Sequence, residues 1–144
     1  MSAMNENNNF NEIREKFFNF LLKKPCTFKQ AEEYLSRCKI SDEHKDSLLN
    51  EAENISLIDD AAYAKLFVDG HLTWGNLKII YELSCRGVSR ENIYKALEEA
   101  ENENSRAYEL FENWKKSGLD DRKIINRLLS RGFSQKAAKS VFDF

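Results

Sequence analysis

Apolar residues recur at intervals of three and four along most of the chain, which is the spacing that places them on one face of an α-helix. Ile93, Leu97 and Ala100 form one such stripe, and residues 107–114 carry another. One proline and five glycines leave too few turn residues for an all-β fold, so the predicted class is all-α. The predicted helices cover residues 10–23, 28–38, 42–54, 60–70, 74–86, 90–102, 104–117, 121–131 and 135–143.

A short signature occurs three times and divides these helices into groups of three. It reads Leu-Ser-Arg-Cys-Lys-Ile-Ser at residues 35–41, Leu-Ser-Cys-Arg-Gly-Val-Ser at 83–89 and Leu-Leu-Ser-Arg-Gly-Phe-Ser at 128–134. The distance along the chain at which this signature recurs is typical of stacked helical units. We therefore predict three tandem three-helix repeats that form an elongated, curved array. Their expected bounds are 10–55 for a degenerate first repeat, 56–102 for the second and 103–144 for the third, after a disordered polar N-terminus at 1–9.

Each signature has the residues that end one helix and begin the next. Gly87 and Gly132 stand where a helix C-terminus needs a positive φ. The closing serines, Ser41, Ser89 and Ser134, are expected N-caps. In the first copy a lysine replaces the glycine, so this turn must be built differently.

Stacking of the repeats is expected to bury most of the large aromatic residues, because a unit of this size has a small core of its own. The aromatic residues assigned to the core are Phe17, Phe18, Phe20, Tyr63, Phe67, Trp74, Tyr81, Phe111 and Trp114. Cys85, beside the second turn, is likewise interpreted as a small buried residue.

The residue types and spacings that catalysis would need are missing from the sequence. The chain has two histidines and three cysteines, none in a metal-binding or catalytic spacing, so neither a cofactor nor enzymatic activity is expected. The adjacent Asp59 and Asp60 are better explained as a helix N-terminus than as a catalytic pair. The odd number of cysteines, the short apolar runs and the polar N-terminus favour a cytoplasmic protein with reduced thiols, without a membrane segment.

Charge is distributed unevenly, although the net charge is only −2. From residue 119 to the end, six basic residues face three acidic ones, whereas the preceding stretch is rich in glutamate. Two interpretations stay open at this point. The basic end is either a solvated helix face or a surface for a polyanion or an acidic partner.

Three motifs follow one another along the chain. The first is Leu-Ile-Asp-Asp-Ala-Ala-Tyr-Ala at residues 57–64, the second comprises Gly75, Ile79, Glu82 and Leu83 followed by residues 86–88, and the third is residues 128–134. In this order they resemble the RecX family of bacterial RecA regulators, in which similar motifs form the entry into the second repeat, the next helix and turn, and the last turn. The resemblance extends over residues 10 to 143 and is densest between 58 and 142.

The resemblance implies a non-enzymatic regulator in DNA repair, recombination and the SOS response. Such a protein binds the RecA nucleoprotein filament, inhibits strand exchange and ATP hydrolysis, and in some members also binds single- or double-stranded DNA. We expect a monomer with no membrane or small-molecule partner. The alternatives are a stand-alone DNA-binding helical module and a generic helical scaffold for protein interactions.

Two sets of residues follow from combining the resemblance with the charge pattern. The expected contacts with RecA or DNA are Lys65, Lys78, Arg86, Arg90, Lys95, Arg122, Lys123, Arg127, Arg131, Lys136 and Lys139. The residues expected to be structural are Asp59, Asp60, Tyr63, Gly75, Leu83, Gly87, Gly132 and Phe133.

Overall fold

The protein is described by a computed structural model, which covers residues 9–143 with their side chains and the backbone of the first helix from Ser2. All regular structure in this part of the chain is helical, which confirms the predicted class. The helices are α1 (Ser2–Lys23), α2 (Phe28–Ser36), α3 (Asp42–Asn54), α4 (Asp60–Asp69), α5 (Asn76–Cys85), α6 (Arg90–Glu99), α7 (Glu103–Lys116), α8 (Asp121–Ser130) and α9 (Gln135–Ser140).

The helix bounds differ from the predicted ones mainly at the ends. Most helices stop one to three residues earlier than predicted, because their last carbonyl groups are already bonded in the following turns. Helix α1 begins well before residue 10. The expected disorder at 1–9 concerns mostly residues 1–8, which lie outside the residues described with side chains.

The predicted caps are confirmed. The side chains of Ser41, Ser89 and Ser134 accept hydrogen bonds from the backbone N–H groups three residues later, at 3.1, 3.2 and 3.1 Å. Gly87 and Gly132 have φ values of 84° and 89°, as the turn pattern requires. These two turns therefore follow directly from their local sequence.

The first copy of the turn is built without a left-handed residue, as expected from its missing glycine. Among the described residues with a side chain, only Ser56 has a positive φ, at 61°. The chain instead turns tightly after α2, where the N–H of Ile40 donates to the carbonyl of Cys38 at 3.1 Å. Ser56 lies two residues after α3, in the turn where the N–H of Leu57 donates to the carbonyl of Ala52 at 2.9 Å.

The chain divides into two compact units. One consists of Met1–Tyr63 with Arg86–Val88, and the other of Ala64–Cys85 with Ser89–Phe144. The first unit packs α1, α2 and α3 around Phe17, Leu35 and Leu48. In the second unit, α7, α8 and α9 pack around residues that include Ile124, Leu128 and Phe133. The division into three repeats stays a prediction.

The aromatic assignments were correct only in part. Phe17 is fully buried, but Tyr81 is 66% exposed and Cys85 is exposed, so the predicted burial of these two residues was wrong. Helix α5 presents both of them on the face opposite its buried Ile79 and Leu83. Half-buried positions are occupied by Phe18, Phe20, Tyr63, Phe67, Trp74, Phe111 and Trp114.

Candidate binding surface

A helix N-terminus docks onto a glycine turn in the first unit. The hydroxyl of Thr27, the N-cap of α2, donates a hydrogen bond to the carbonyl of Arg86 at 2.6 Å. The N–H of Phe28 donates to the carboxylate of Asp60 at 2.8 Å. Asp60 therefore caps α2 in addition to lying in the first turn of its own helix, while Asp59 accepts from the N–H of Ala62 at 3.1 Å.

The second unit repeats this arrangement with its own residues. The N–H of Gly75 donates to the carbonyl of Arg131 at 2.9 Å, and the N–H of Leu77 donates to that of Gly132 at 3.1 Å. A Cβ atom on Gly75 would lie 2.0 Å from the backbone nitrogen of Phe133. The absence of a side chain at residue 75 is thus what allows the start of α5 to meet the end of α8.

Glu103 has the capping role in this second junction. One of its carboxylate oxygens accepts from the N–H of Asn76 at 2.6 Å, and the other accepts from the hydroxyl of Ser134 at 2.9 Å. Asp60 and Glu103 are each the first residue of a helix, so the same device occurs at the same place in two consecutive helix groups. The sequence pattern did not reveal it, because each partner is about thirty residues away.

Arg106 is a buried cation behind this junction, with only 3% of its surface exposed. Its guanidinium donates to the carbonyls of Glu101 at 2.9 Å and Leu72 at 3.2 Å, and also to the carbonyl of Trp74 and the side-chain oxygen of Asn76. Burial lowers the pKa of Arg106. Because its donors are occupied inside the protein, Arg106 is a structural residue rather than a contact.

Three of the predicted contact residues form one line along α8 and its C-cap, Arg131. Lys123, Arg127 and Arg131 follow each other at intervals of four, which puts them on one helix face at steps of about 6 Å. The guanidinium groups of Arg127 and Arg131 lie 5.6 and 5.2 Å from the centre of the Trp114 ring. We call these three cations the cationic stripe, and Trp114 is the aromatic surface that positions two of them.

Lys78 lies next to the end of this stripe. Its backbone is packed so closely against Gly132, the residue after Arg131, that a Cβ on that glycine would be 2.7 Å from the Lys78 nitrogen. Its ammonium lies 4.1 Å from the centre of the Trp74 ring. Two tryptophans therefore support cations at the point where α8 ends and α5 begins, whereas the helical spacing had favoured a core position for both rings.

The other predicted contacts are not collected into this surface. Lys65 is 3.9 Å from Glu99, and Arg90 lies 5.7 Å from the centre of the Tyr94 ring. Arg86 is half-buried and belongs to the first unit. The remaining cations, Lys95, Arg122, Lys136 and Lys139, are exposed at separate positions of α6, α8 and α9.

The residues expected to be structural have internal roles. Leu83 and Phe133 are buried at 0% and 1% exposure, and Tyr63 is half-buried. Gly132 combines its positive φ with the close approach of Lys78, and Gly87 does the same with Lys29. The helix-end and packing motifs of the sequence singled out these residues but did not identify what lies against them.

Known proteins are similar to this chain in both sequence and fold. The profile described as RecX, second three-helix domain, matches residues 59–97. The chain is 30% identical over 145 residues to the regulatory protein RecX of Finegoldia magna, covering 92% of this chain and 71% of that protein. The chain belongs to the RecX family. It is also 32% identical over 135 residues to the RecX of Lactobacillus delbrueckii subsp. bulgaricus, where 85% of this chain matches.

The chain matches only part of the length of some RecX proteins, but it shares its fold with a solved RecX structure. The chain spans about half of the Lactobacillus delbrueckii relative, at 49%. The crystal structure of RecX from Lactobacillus salivarius superposes with a TM-score of 0.81 and 21% identity, covering 94% of this chain and 96% of that one. This likeness shows that the fold is shared. Across the described residues, every helix is too short or too polar to cross a membrane.

Proposed function

We propose that this RecX-family chain is a non-enzymatic regulator that binds the RecA nucleoprotein filament and inhibits its recombinase and ATPase activities. The family relationship supports the regulatory role, and the cationic stripe beside Trp114 supports contact with a polymer that carries phosphates. Since a RecA filament assembles on cellular DNA, the same proposal places the protein in the cytoplasm.

Regulation of this kind requires no reaction by the chain itself. A bound protein changes an assembly equilibrium only if it binds one state of the filament better than the other states. An elongated contact along several subunits, or occupation of the groove that a second DNA must enter, satisfies this condition. The stripe supplies the electrostatic part of such a contact, because its three cations lie at regular intervals and two of them, Lys123 and Arg127, are exposed.

The test compares the chain with a triple variant, Lys123→Gln, Arg127→Gln and Arg131→Gln. The readouts are binding to RecA filaments on single-stranded DNA and their rate of ATP hydrolysis. We expect the unaltered chain to bind and to slow hydrolysis, and the triple variant to lose about tenfold or more in affinity, since each charged contact contributes about 1 kcal/mol.

A matched control removes the same charge elsewhere. Lys23, Lys24 and Arg37 are exposed residues of the first unit that were not predicted as contacts, and changing all three to glutamine gives the same net charge as the test variant. It should bind like the unaltered chain. If the unaltered chain neither binds filaments nor changes hydrolysis at micromolar concentration, the proposed function is rejected.

A stand-alone DNA-binding module is the second candidate, and the pairing of tryptophans with cations favours it. Aromatic rings and regularly spaced cations are what proteins use to bind single strands without sequence preference. This candidate requires that DNA alone binds as tightly as the filament does. A filament affinity well above the affinity for bare DNA would reject it in favour of the regulator.

A further inference from the structure

Helix α5 carries an exposed apolar line that contributes to no core. Leu77 and Tyr81 are 60% and 66% exposed, and Cys85 is exposed as well. They follow each other at intervals of four, so they lie on one face over about 12 Å. The neighbouring side chains of Cys85 and Glu82 raise the pKa of Tyr81. We call these three residues the apolar stripe.

The repeated architecture provides an internal comparison for this stripe. The second, sixth and tenth positions from the start of α5 correspond to Lys29, Glu33 and Arg37 of the first helix group, and to Arg122, Asn126 and Ser130 of the third. These equivalent positions are exposed in all three groups. Only the middle group has apolar side chains there, so exposure at this place of the fold does not by itself require them.

The neighbouring cations indicate which occupant fits. Leu77 begins the apolar stripe at the point where its own N–H bonds to Gly132, next to the end of the cationic stripe. Lys78 follows Leu77 and Glu82 follows Tyr81, so charges of both signs border the apolar stripe, which lies in the same compact unit as the cationic stripe. A leucine and a thiol have no attraction for phosphates, whereas they pack well into an apolar recess of a protein.

We infer that the apolar stripe of α5 is the docking surface for the protein subunits of the filament, while the cationic stripe contacts its DNA. This inference rests on the proposed function and adds a division of labour to it. A nucleoprotein filament presents protein and phosphates side by side, and the second unit presents a complementary chemistry for each. Binding by the apolar stripe should therefore depend on RecA and not on DNA.

The first test uses the double variant Leu77→Ser, Tyr81→Ser. Because both side chains are mostly exposed, it should retain the helical circular dichroism of the unaltered chain. We expect its affinity for RecA filaments to fall about tenfold or more, as when apolar anchors of an interface are removed. Its affinity for single-stranded DNA alone should stay within about twofold, because the electrostatic contacts remain.

The control is Leu66→Ser, a leucine of α4 that is 62% exposed and lies outside the stripe. It should bind filaments normally. If the unaltered chain binds filaments and the double variant binds equally well, the docking surface is wrong and the proposed function stands. Equal losses for filament and bare DNA would mean that the stripe contacts nucleic acid. If the unaltered chain binds no filament, both proposals fall together.

The second test uses Cys85 as a reporter inside the stripe. Cys26 is buried and its burial raises its pKa, so it should react slowly with maleimide. Changing the half-buried Cys38 to serine leaves Cys85 as the exposed thiol. We expect saturating filaments to slow the labelling of Cys85 by about fivefold or more, because a docked surface excludes the reagent. An unchanged labelling rate with bound filament would overturn the inference.

Discussion

Glycine is required at two positions of the chain for opposite reasons. Gly75 has an ordinary φ but no room for a side chain, since its Cβ would meet the backbone of residues 132 and 133 at about 2 Å. Gly118 has a φ of 89° but nothing within 4 Å of its Cβ position. The first glycine is required by packing between helices, and the second only by the local turn.

We predict that Gly75→Ala lowers the free energy of unfolding by about 3 kcal/mol or more, because backbone atoms cannot move aside cheaply. Gly118→Ala should cost only about 1 kcal/mol, the ordinary penalty of a left-handed residue with a side chain. Urea denaturation followed by circular dichroism measures both. Equal losses for the two variants would contradict the close packing at Gly75.

Arg106 gives the second prediction at this scale. Arg106→Met keeps the volume but leaves the carbonyls of Leu72, Trp74 and Glu101 without their donor, so we expect a loss of about 3 kcal/mol in unfolding free energy. Arg106→Lys should rescue little of it, because one ammonium cannot replace the planar set of donors. Full stability of the lysine variant in thermal denaturation would show that charge alone matters there.

Two helices of this protein begin against residues from distant parts of the chain. The start of α2 is held by the turn at 86–88 and by Asp60, and the start of α5 by the turn at 131–133 and by Glu103. In both cases a carboxylate lies at the positive end of the helix dipole. Each cap therefore comes from another helix of the same compact unit.

The matching prediction is that Asp60→Ala and Glu103→Ala each destabilise the protein by about 1–2 kcal/mol, as expected for the loss of a charged helix cap. Glu103 should cost more, since it also accepts a hydrogen bond from Ser134. Glu109→Ala, at an exposed position of α7, is the control and should change the midpoint of urea unfolding very little. A Glu103 variant as stable as this control would exclude the cap.

The whole molecule is slightly acidic, so its affinity for a polyanion must come from local charge. Its net charge is −2, while the cationic stripe places three cations at intervals of four, and two of them lie beside Trp114. The net charge of the chain therefore does not determine whether this face binds a polyanion.

We predict a shallow but measurable salt dependence for binding to single-stranded DNA. Each phosphate contact contributes about −0.7 to the slope of log affinity against log salt, so the cationic stripe should account for about −2. Fluorescence anisotropy with a labelled oligonucleotide should show this share vanish in the triple glutamine variant. The control variant at Lys23, Lys24 and Arg37 should retain the full slope, and a loss of slope there would remove the special role of α8.

The sequence by itself determined the helices and their turns. Glycines at 87 and 132, serines at 41, 89 and 134, and the spacing of apolar residues act within a few positions of the chain, so local stereochemistry was enough to place them. It also located the family motifs, because these consist mostly of helix ends and packing residues. For the contact residues, the sequence indicates only a scattered set of cations and does not show which of them lie together.

Only the tertiary structure decided which of those residues belong together. Whether Trp114 is a core residue or a support for two arginines depends on where α7 lies against α8, which no local pattern encodes. Tyr81 and Cys85 fit a helical apolar pattern equally well inside or outside, and the packing of Ile79 and Leu83 left them exposed. Periodicity defines the faces of a helix, but only the neighbouring helices determine which face is covered.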